Sequence, residues 1–251
     1  MSQDFSDKVI LVTGGASGIG YATCAELLAR GARVALWDID ITASSAAVRS
    51  LDPEGKRCRA FTADVGSGAD VESALSQTLE VFGALHGAFN NAGIGGQTIP
   101  LADMSESEFD AVLATDLKGV WLCLKHELLL LRKTGGAIVN NASVAGLVAL
   151  GGQSAYVAAK HGVIGLTKTA AVEYAAAGVR VNAVCPGAIQ TPILKHLEDA
   201  GVDEEMLSSM SPQARIGSPV EVANAVCWLL SDEASFVTGA ALSIDGGWAA
   251  Q

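Results

Sequence analysis

Tyr156 and Lys160 stand four residues apart in the stretch Ser154-Ala155-Tyr156-Val157-Ala158-Ala159-Lys160. On a helix, residues at i and i+4 share a face, with Cβ atoms roughly 5–6 Å apart. A phenol, with an unperturbed pKa of about 10, is a poor base at neutral pH. An ammonium about 4 Å away favours phenolate by about 4 kcal/mol at an effective dielectric near 20. That corresponds to roughly two to three pKa units before desolvation takes part of it back. A Tyr and a Lys at this spacing are therefore one way to make a phenol that exchanges protons at neutral pH. The same spacing also occurs in ordinary exposed helices, so the pair signifies chemistry only if the rest of the chain builds a site around it.

Short β-rich runs at 8–13, 33–37, 57–63, 85–90, 136–142, 179–185 and 241–244 alternate with helical patterns at 17–30, 42–51, 69–82, 107–132, 154–177 and 219–230. Ser218 and Pro219 form a cap and first-turn pair for the last of these helices. Near-continuous apolar strands alternating with helices predict an α/β fold, a parallel sheet of about seven strands with helices on both faces. Neither repeats nor linkers interrupt the pattern, so residues 1–251 read as a single domain.

Bulk properties narrow the partners. A net charge of −11 repels phosphate backbones and argues against nucleic acid. No uncharged apolar run is long enough to span a membrane, and the opening residues MSQDFSDK have no apolar signal region. Cys24, Cys58, Cys123, Cys185 and Cys227 are odd in number, widely spaced and set in apolar contexts. They read as reduced core thiols of a cytoplasmic protein, with no metal site expected.

The first strand runs into Thr13-Gly14-Gly15-Ala16-Ser17-Gly18-Ile19-Gly20. Glycines 14, 18 and 20 at a strand-to-helix turn permit a tight turn, close approach of backbone to a pyrophosphate, and tight packing of helix on sheet. Ser17, Gly18 and Ile19 then open a helix whose N-terminus faces the phosphates. Asp38 ends the second strand, 18 residues beyond Gly20, where an acid accepts hydrogen bonds from an adenosine ribose. Positions 15–17 and 39–41 hold no Arg or Lys to meet a 2′-phosphate, which favours NAD over NADP.

Taken together, these motifs resemble the short-chain dehydrogenase/reductase family over essentially the whole chain. Its T-G-x-x-x-G-x-G pattern matches residues 13–20, its Asn-Asn-Ala-Gly matches Asn90-Asn91-Ala92-Gly93, and its Tyr-x-x-x-Lys matches Tyr156 and Lys160. The family's serine, thirteen residues before the tyrosine, matches Ser143. The resemblance implies a Rossmann-type doubly wound sheet and hydride transfer between a nicotinamide cofactor and an alcohol or ketone. Tyr156 would be the general acid/base, with Lys160 as its charged neighbour and a ribose ligand. Ser143 would donate to the substrate oxygen. It has no Gly-x-Ser-x-Gly elbow that would make it a nucleophile. The resemblance also implies adenine contacts from Asp64 and Val65, cofactor contacts from Asn91, Ala92 and Gly93, and nicotinamide contacts from Pro186, Gly187, Ile189 and Thr191.

One position departs from the family pattern. Where an Asn usually stands in an N-x-x-G context, this chain has Asp116-Leu117-Lys118-Gly119. An ionised Asp accepts hydrogen bonds and donates none. In the family that residue's main chain helps hold a water linking the Lys to solvent, so the resemblance implies that Asp116 keeps this relay through its main chain, while its carboxylate is expected to stabilise the Lys160 ammonium. Residues 190–217 read as an amphipathic lid, with Leu194, Leu197, Met206 and Met210 toward the nicotinamide. With Ile94, Gly95, Val144 and Gln153 they outline an apolar pocket suited to a secondary or cyclic alcohol and its ketone. A 3-oxoacyl-type ketone reductase and a non-catalytic NAD-binding sensor are the alternatives. The leucine-rich helix at 107–132 is apolar on more than one face, and family members are commonly tetramers, so a homotetramer is expected.

Overall fold

The computed structural model describes residues 4–192, 194 and 203–251. Strands β1 (Val9–Thr13), β2 (Arg33–Asp38), β3 (Cys58–Thr62), β4 (Gly87–Asn90), β5 (Gly136–Asn141), β6 (Val179–Pro186) and β7 (Ala241–Ile244) form one sheet in the order β3-β2-β1-β4-β5-β6-β7. Every pairing is parallel. The chain builds outward from β1 to β3, then restarts on the other side of β1 with β4. That reversal opens a crevice beyond the carboxyl ends of β1 and β4, where ligands bind in doubly wound sheets.

Among the described residues eight helices accompany the sheet: α1 (Gly18–Ala29), α2 (Ile41–Leu51), α3 (Gly68–Phe82), α4 (Glu106–Leu113), α5 (Gly119–Leu131), α6 (Ser154–Tyr174), α7 (Glu204–Ser209) and α8 (Pro219–Leu230). The period-two alternation of strand side chains decides which helices meet which face. Val9 and Leu11 of β1 enter a core with Leu75 of α3, Leu128 of α5 and Val163 of α6. Ile10 and Val12 enter the opposite core with Leu27 of α1, Ala47 of α2 and Val226 of α8. Both layers are apolar, which is why β1 carries no polar residue before Thr13. All five cysteines are free and buried.

Local chemistry sets the helix ends. Asp40 caps α2 by accepting from Thr42 and Ala43 N–H at 2.8 and 3.0 Å. Ser105 and Glu108 form a reciprocal box at the start of α4. Pro219 opens α8, where the Ser218 N–H donates to Glu221 Oε2 at 2.8 Å. Gly83, at φ +78°, closes α3 in the left-handed region that favours glycine.

The single helix expected over 107–132 is interrupted. Between α4 and α5 lies a π-helical turn, Ala114–Lys118, with right-handed backbone at both junctions. The apolar periodicity runs through this turn unbroken, so the sequence pattern does not reveal it. Its effect is to carry Asp116 inside the protein, fully buried. Such turns widen the helix by one residue and recur at functional sites.

Leu11 is wholly buried in the central strand. Leu11→Ala is expected to destabilise the fold by about 3 kcal/mol, because transfer and cavity terms add. Urea unfolding of the variant against the native chain checks this.

Candidate active site

Lys160 sits on α6 and is only 3 % exposed. A buried ammonium requires compensation. It finds three neighbours. Nζ donates to the Asn141 carbonyl oxygen at 3.0 Å, lies 3.3 Å from Asp116 Oδ2, and stands 5.3 Å from the centre of the Tyr156 ring. The other Asp116 oxygen accepts the Ile94 N–H at 2.7 Å. Burial pulls the Lys160 pKa down, but Asp116 first and Tyr156 second push it above its ordinary value. Burial pushes the Asp116 carboxyl up, against the pull of Lys160 and of the Ile94 N–H. The ammonium is thus held charged by a carboxylate that the π-helical turn delivers beneath it.

Tyr156 is half-buried one turn before Lys160, on the wall of a pocket of about 200 Å³. Ile94, Met104, Val112, Gln153 and Ala155 supply much of the remaining wall. Gln153 is fixed there by its Nε2, which donates to Thr98 Oγ1 at 2.8 Å. Ser143 follows β5, is 8 % exposed, and accepts the Ala145 N–H on its Oγ at 3.1 Å.

The Gly-rich turn lies across the sheet's switch point. Gly14 and Gly18 have φ of +62° and +53°. A Cβ on Gly20 would stand 2.1 Å from the Gly14 carbonyl oxygen. A Cβ on Gly18 would meet the Thr191 methyl at 3.3 Å, so Thr191 closes one side of the turn. Asn91 ties the turn to β4, with Nδ2 donating to the carbonyls of Thr13 and Gly14 at 3.0 and 3.1 Å. Thr13 Oγ1 accepts both the Asn91 and the Ala92 N–H. Asp38 is oriented by the N–H groups of Ala16 and Asp40, each 3.1 Å from one of its oxygens. Ser17, exposed, precedes Gly18 and Ile19 at the start of α1.

The remaining sequence-derived positions fall around the same crevice. Asp64 accepts the Gly66 N–H at 2.8 Å, and Val65 is buried against Gly119, where an added Cβ would come within 2.8 Å of it. Gly93 faces Asp116, with room for a Cβ only 3.1 Å from its carboxylate. Pro186 ends β6, and a Cβ on Gly187 would lie 2.9 Å from Asp245 Cα. The Ile189 side chain is buried in the core on the α1 side. The bridge to Gly217 uses the backbone of Ala188 and Gln190, which leaves Ile189's own peptide groups outside it.

The substrate residues divide. Ile94 and Gln153 line the pocket, and Gly95 lies between Ile94 and the lining Gly96. Val144 is buried at 2 % and Leu194 at 6 %, neither on the pocket wall; Met206 is 47 % exposed and Met210 half-buried, also away from it. Leu197 lies outside the described residues. Sequence reasoning missed Met104, Glu108, Ala111 and Val112, which bring one side of α4 and the residue before its cap to the pocket. It also missed Asn141, whose carbonyl holds Lys160; its place two residues before Ser143 was the available signal.

Comparison with known proteins agrees with this geometry. The family described as enoyl-(acyl carrier protein) reductase matches residues 14–249. A 2,5-dichloro-2,5-cyclohexadiene-1,4-diol dehydrogenase of Sphingobium indicum is 46 % identical, with 98 % of this chain and 99 % of that protein aligned. The chain belongs to the short-chain dehydrogenase/reductase family. It is an oxidoreductase acting on CH–OH groups. The crystal structure of levodione reductase superposes with a TM-score of 0.93 at 42 % identity, covering 98 % of this chain and 99 % of that one. The structure of ElxO with NADP bound gives 0.91 at 33 % identity, covering 97 % and 99 %.

Removing either member of the buried pair strands the other. Asp116→Ala and Lys160→Met are each expected to cost about 3 kcal/mol, and the double variant less than their sum by at least about 1 kcal/mol. A double-mutant cycle in urea checks the coupling; strict additivity would show that the two charges do not interact.

Proposed function

We propose that this enzyme interconverts a cyclic secondary alcohol and its ketone with NAD(H), Tyr156 being the general acid/base. One observation carries the reading: Tyr156 stands on the wall of a mostly apolar pocket while its helical neighbour Lys160 is held charged behind it by Asp116. A charged Lys160 favours the ionised form of a neighbouring phenol. Tyr156 would take the hydroxyl proton as the carbinol carbon is oxidised and return it in the reverse direction. Ser143 would donate a hydrogen bond to the substrate oxygen and hold it against Tyr156. Lys160, by staying protonated, would keep the phenolic oxygen able to exchange its proton through both directions of the reaction.

The residues present fit a nicotinamide dinucleotide. The cradle formed by Gly14, Gly18 and Gly20 leaves backbone where side chains would block a pyrophosphate, and Thr191 lies opposite. These residues would hold the cofactor together with Asp64, Val65, Asn91, Ala92, Gly93, Pro186, Gly187 and the Ile189 backbone. When bound, the cofactor supplies the hydride acceptor or donor. The oriented Asp38 carboxylate supports NAD over NADP. It would accept from ribose hydroxyls and repel a 2′-phosphate, with no Arg or Lys at 15–17 or 39–41 to offset it.

Substrate choice follows from the pocket wall. Ile94, Ile99, Met104, Ala111, Val112 and Ala155 offer apolar contacts, while Glu108 is the one charged liner among the described residues. That wall favours a neutral ring over a carboxylate or phosphate. The Sphingobium relative's name specifies a ring diol, in keeping with this chemistry. We read residues 190–217 as the lid of a single domain. We further read the protein as cytoplasmic and as a homotetramer; Trp121 and Leu129 on α5 remain 46 % and 44 % exposed for a second subunit to cover. No helix among the described residues is long and apolar enough to cross a membrane.

The test is reduction of NAD⁺ and NADP⁺ on a panel of cyclic secondary alcohols, followed by nicotinamide absorbance. Turnover with NAD⁺ is expected, with kcat lowered at least about 10³-fold in Tyr156→Phe. Asp38→Ala is expected to narrow the preference for NAD⁺ by raising its KM. Full activity in Tyr156→Phe would sink the assignment of the base.

A further inference from the structure

Beneath the site lies a buried polar cluster that the mechanism above does not use. Glu127 of α5 is 1 % exposed; around it stand Asn90 at the end of β4, Asn140 of β5 and Thr167 of α6, each no more than 1 % exposed. Hydrogen-bond accounting fixes their orientations in turn. The Thr167 hydroxyl donates to the Val163 carbonyl at 2.8 Å, so toward Asn140 it can only accept. Asn140 therefore turns its Nδ2 to Thr167, at 2.9 Å, and its Oδ1 to Asn90. Asn90 must then present Nδ2, and its two hydrogens go to Asn140 Oδ1 and Glu127 Oε2, both at 3.0 Å. Turning the Asn90 amide over would set its oxygen against two acceptors at once.

Two acceptors are left over. Asn90 Oδ1 and Glu127 Oε1 are buried and have no hydrogen-bond partner. They belong to the two side chains already joined by one bond. We infer that Glu127 is a protonated positioning residue, its Oε1–H donating to Asn90 Oδ1 and closing a paired acid–amide ring under the active site. One proton satisfies both orphaned atoms, each of which would otherwise carry the cost of desolvation without a bond. Burial independently pushes the Glu127 carboxyl from 4.5 up to about 7, against the hydrogen bond from Asn90. The titratable group beside it on its own helix is the Cys123 thiol, which burial holds neutral. The groups facing it from β4, β5 and α6 are the uncharged Asn90, Asn140 and Thr167.

The ring has a consequence for the site, which rests on reading the Gly-rich turn as the cofactor cradle. Asn90 is followed by Asn91, which grips the Thr13 and Gly14 carbonyls. Asn140 is followed by Asn141, whose carbonyl accepts from Lys160 and whose Nδ2 donates to Asn91 Oδ1 at 2.9 Å. Fixing the two inner asparagines thus fixes the two outer ones, and with them the cradle and the lysine. An ionised Glu127 would break the ring and loosen both.

The test compares the native enzyme with Glu127→Gln, whose amide makes the same paired ring at every pH. The fold binds a proton that the unfolded chain releases, so this contribution is full below about pH 4.5 and is lost as pH rises through about 7. The native-to-variant ratio of folding equilibrium constants should fall about thirtyfold between pH 5.5 and 8.5, measured by urea unfolding. A ratio independent of pH would overturn the protonation. Should Glu127→Gln fail to fold, infrared spectra of the native protein decide. A protonated-carboxyl band present at pH 6, lost at pH 9 and retained in Asp116→Asn is expected; its absence at pH 6 overturns the inference. For the positioning role, the native KM for NAD⁺ should rise at least about threefold more than that of Glu127→Gln between pH 6 and 9, with the kcat ratio steady. A flat KM ratio overturns that role. The unfolding and infrared measurements need no turnover, so they stand even if Tyr156→Phe remains active and the cofactor reading fails.

Discussion

The active-site region depends on one constraint: an ammonium is kept charged where water does not reach it. Burying Lys160 alone would drive it toward neutrality. The fold answers with a carboxylate, a carbonyl and an aromatic face, taken from three different elements. Each answer imposes its own demand. Asp116 must come inside, which requires the helix between α4 and α5 to widen at Ala114–Lys118. The Asn141 carbonyl must face Lys160, and Asn141 is the last residue of β5. Tyr156 must lie one helical turn from Lys160, so α6 must begin by Ser154. The positions of two element boundaries follow from the electrostatics of one side chain.

Asp at position 116 suits this arrangement better than the amide usual in the family. Two donors converge on its carboxylate, the Ile94 N–H on Oδ1 and the Lys160 ammonium beside Oδ2. An ionised carboxyl offers acceptors to both. An amide in the same pose would turn its NH₂ toward one of the two donors. Gly93 completes the fit, since a side chain there would press within 3.1 Å of the carboxylate. The Asn-Asn-Ala-Gly segment therefore serves two neighbours, the cradle through Asn91 and the buried acid through Gly93.

Much of this architecture was legible in the sequence, for identifiable reasons. The seven strands show because both faces of a parallel sheet are buried, so each is a short apolar run bounded by turns. Tyr156, Lys160 and the glycine turn show because their chemistry depends on spacing within one element. The π-helical turn did not show, because widening a helix by one residue leaves its apolar pattern continuous across Leu113 and Leu117. The pocket wall from Met104 to Val112 did not show either. Those residues reach Tyr156 only through the packing of α4 on α6, a contact between segments some fifty residues apart. The apolar residues of the 190–217 stretch, Leu207 among them, carry less positional information for a related reason. Amphipathy reports that a face is buried without saying against what, and Leu194 and Leu207 are buried away from the pocket wall while Met206 stays half-exposed.

The same strand ends reconcile stability with chemistry. At the carboxyl edge of β4 and β5, four asparagines alternate in direction, as period two requires. Asn90 and Asn140 point into the helix layer with Glu127, while Asn91 and Asn141 point to the cradle. An apolar residue at either inner position would pack, but it could not dictate rotation about the strand, because dispersion has little directional preference. Hydrogen bonds do, and with the proton inferred on Glu127 the network has a partner for Asn90 Oδ1 and Glu127 Oε1 as well, which rigidifies what it touches. Placing polar side chains at the ends of the otherwise apolar β4 and β5 thus fixes the angle at which the outer asparagines leave the sheet. The angle matters because Asn91 must reach two consecutive carbonyls of the glycine turn within 3.1 Å. A rotation of the strand end large enough to lose one of those bonds would move the backbone on which any bound phosphate must rest.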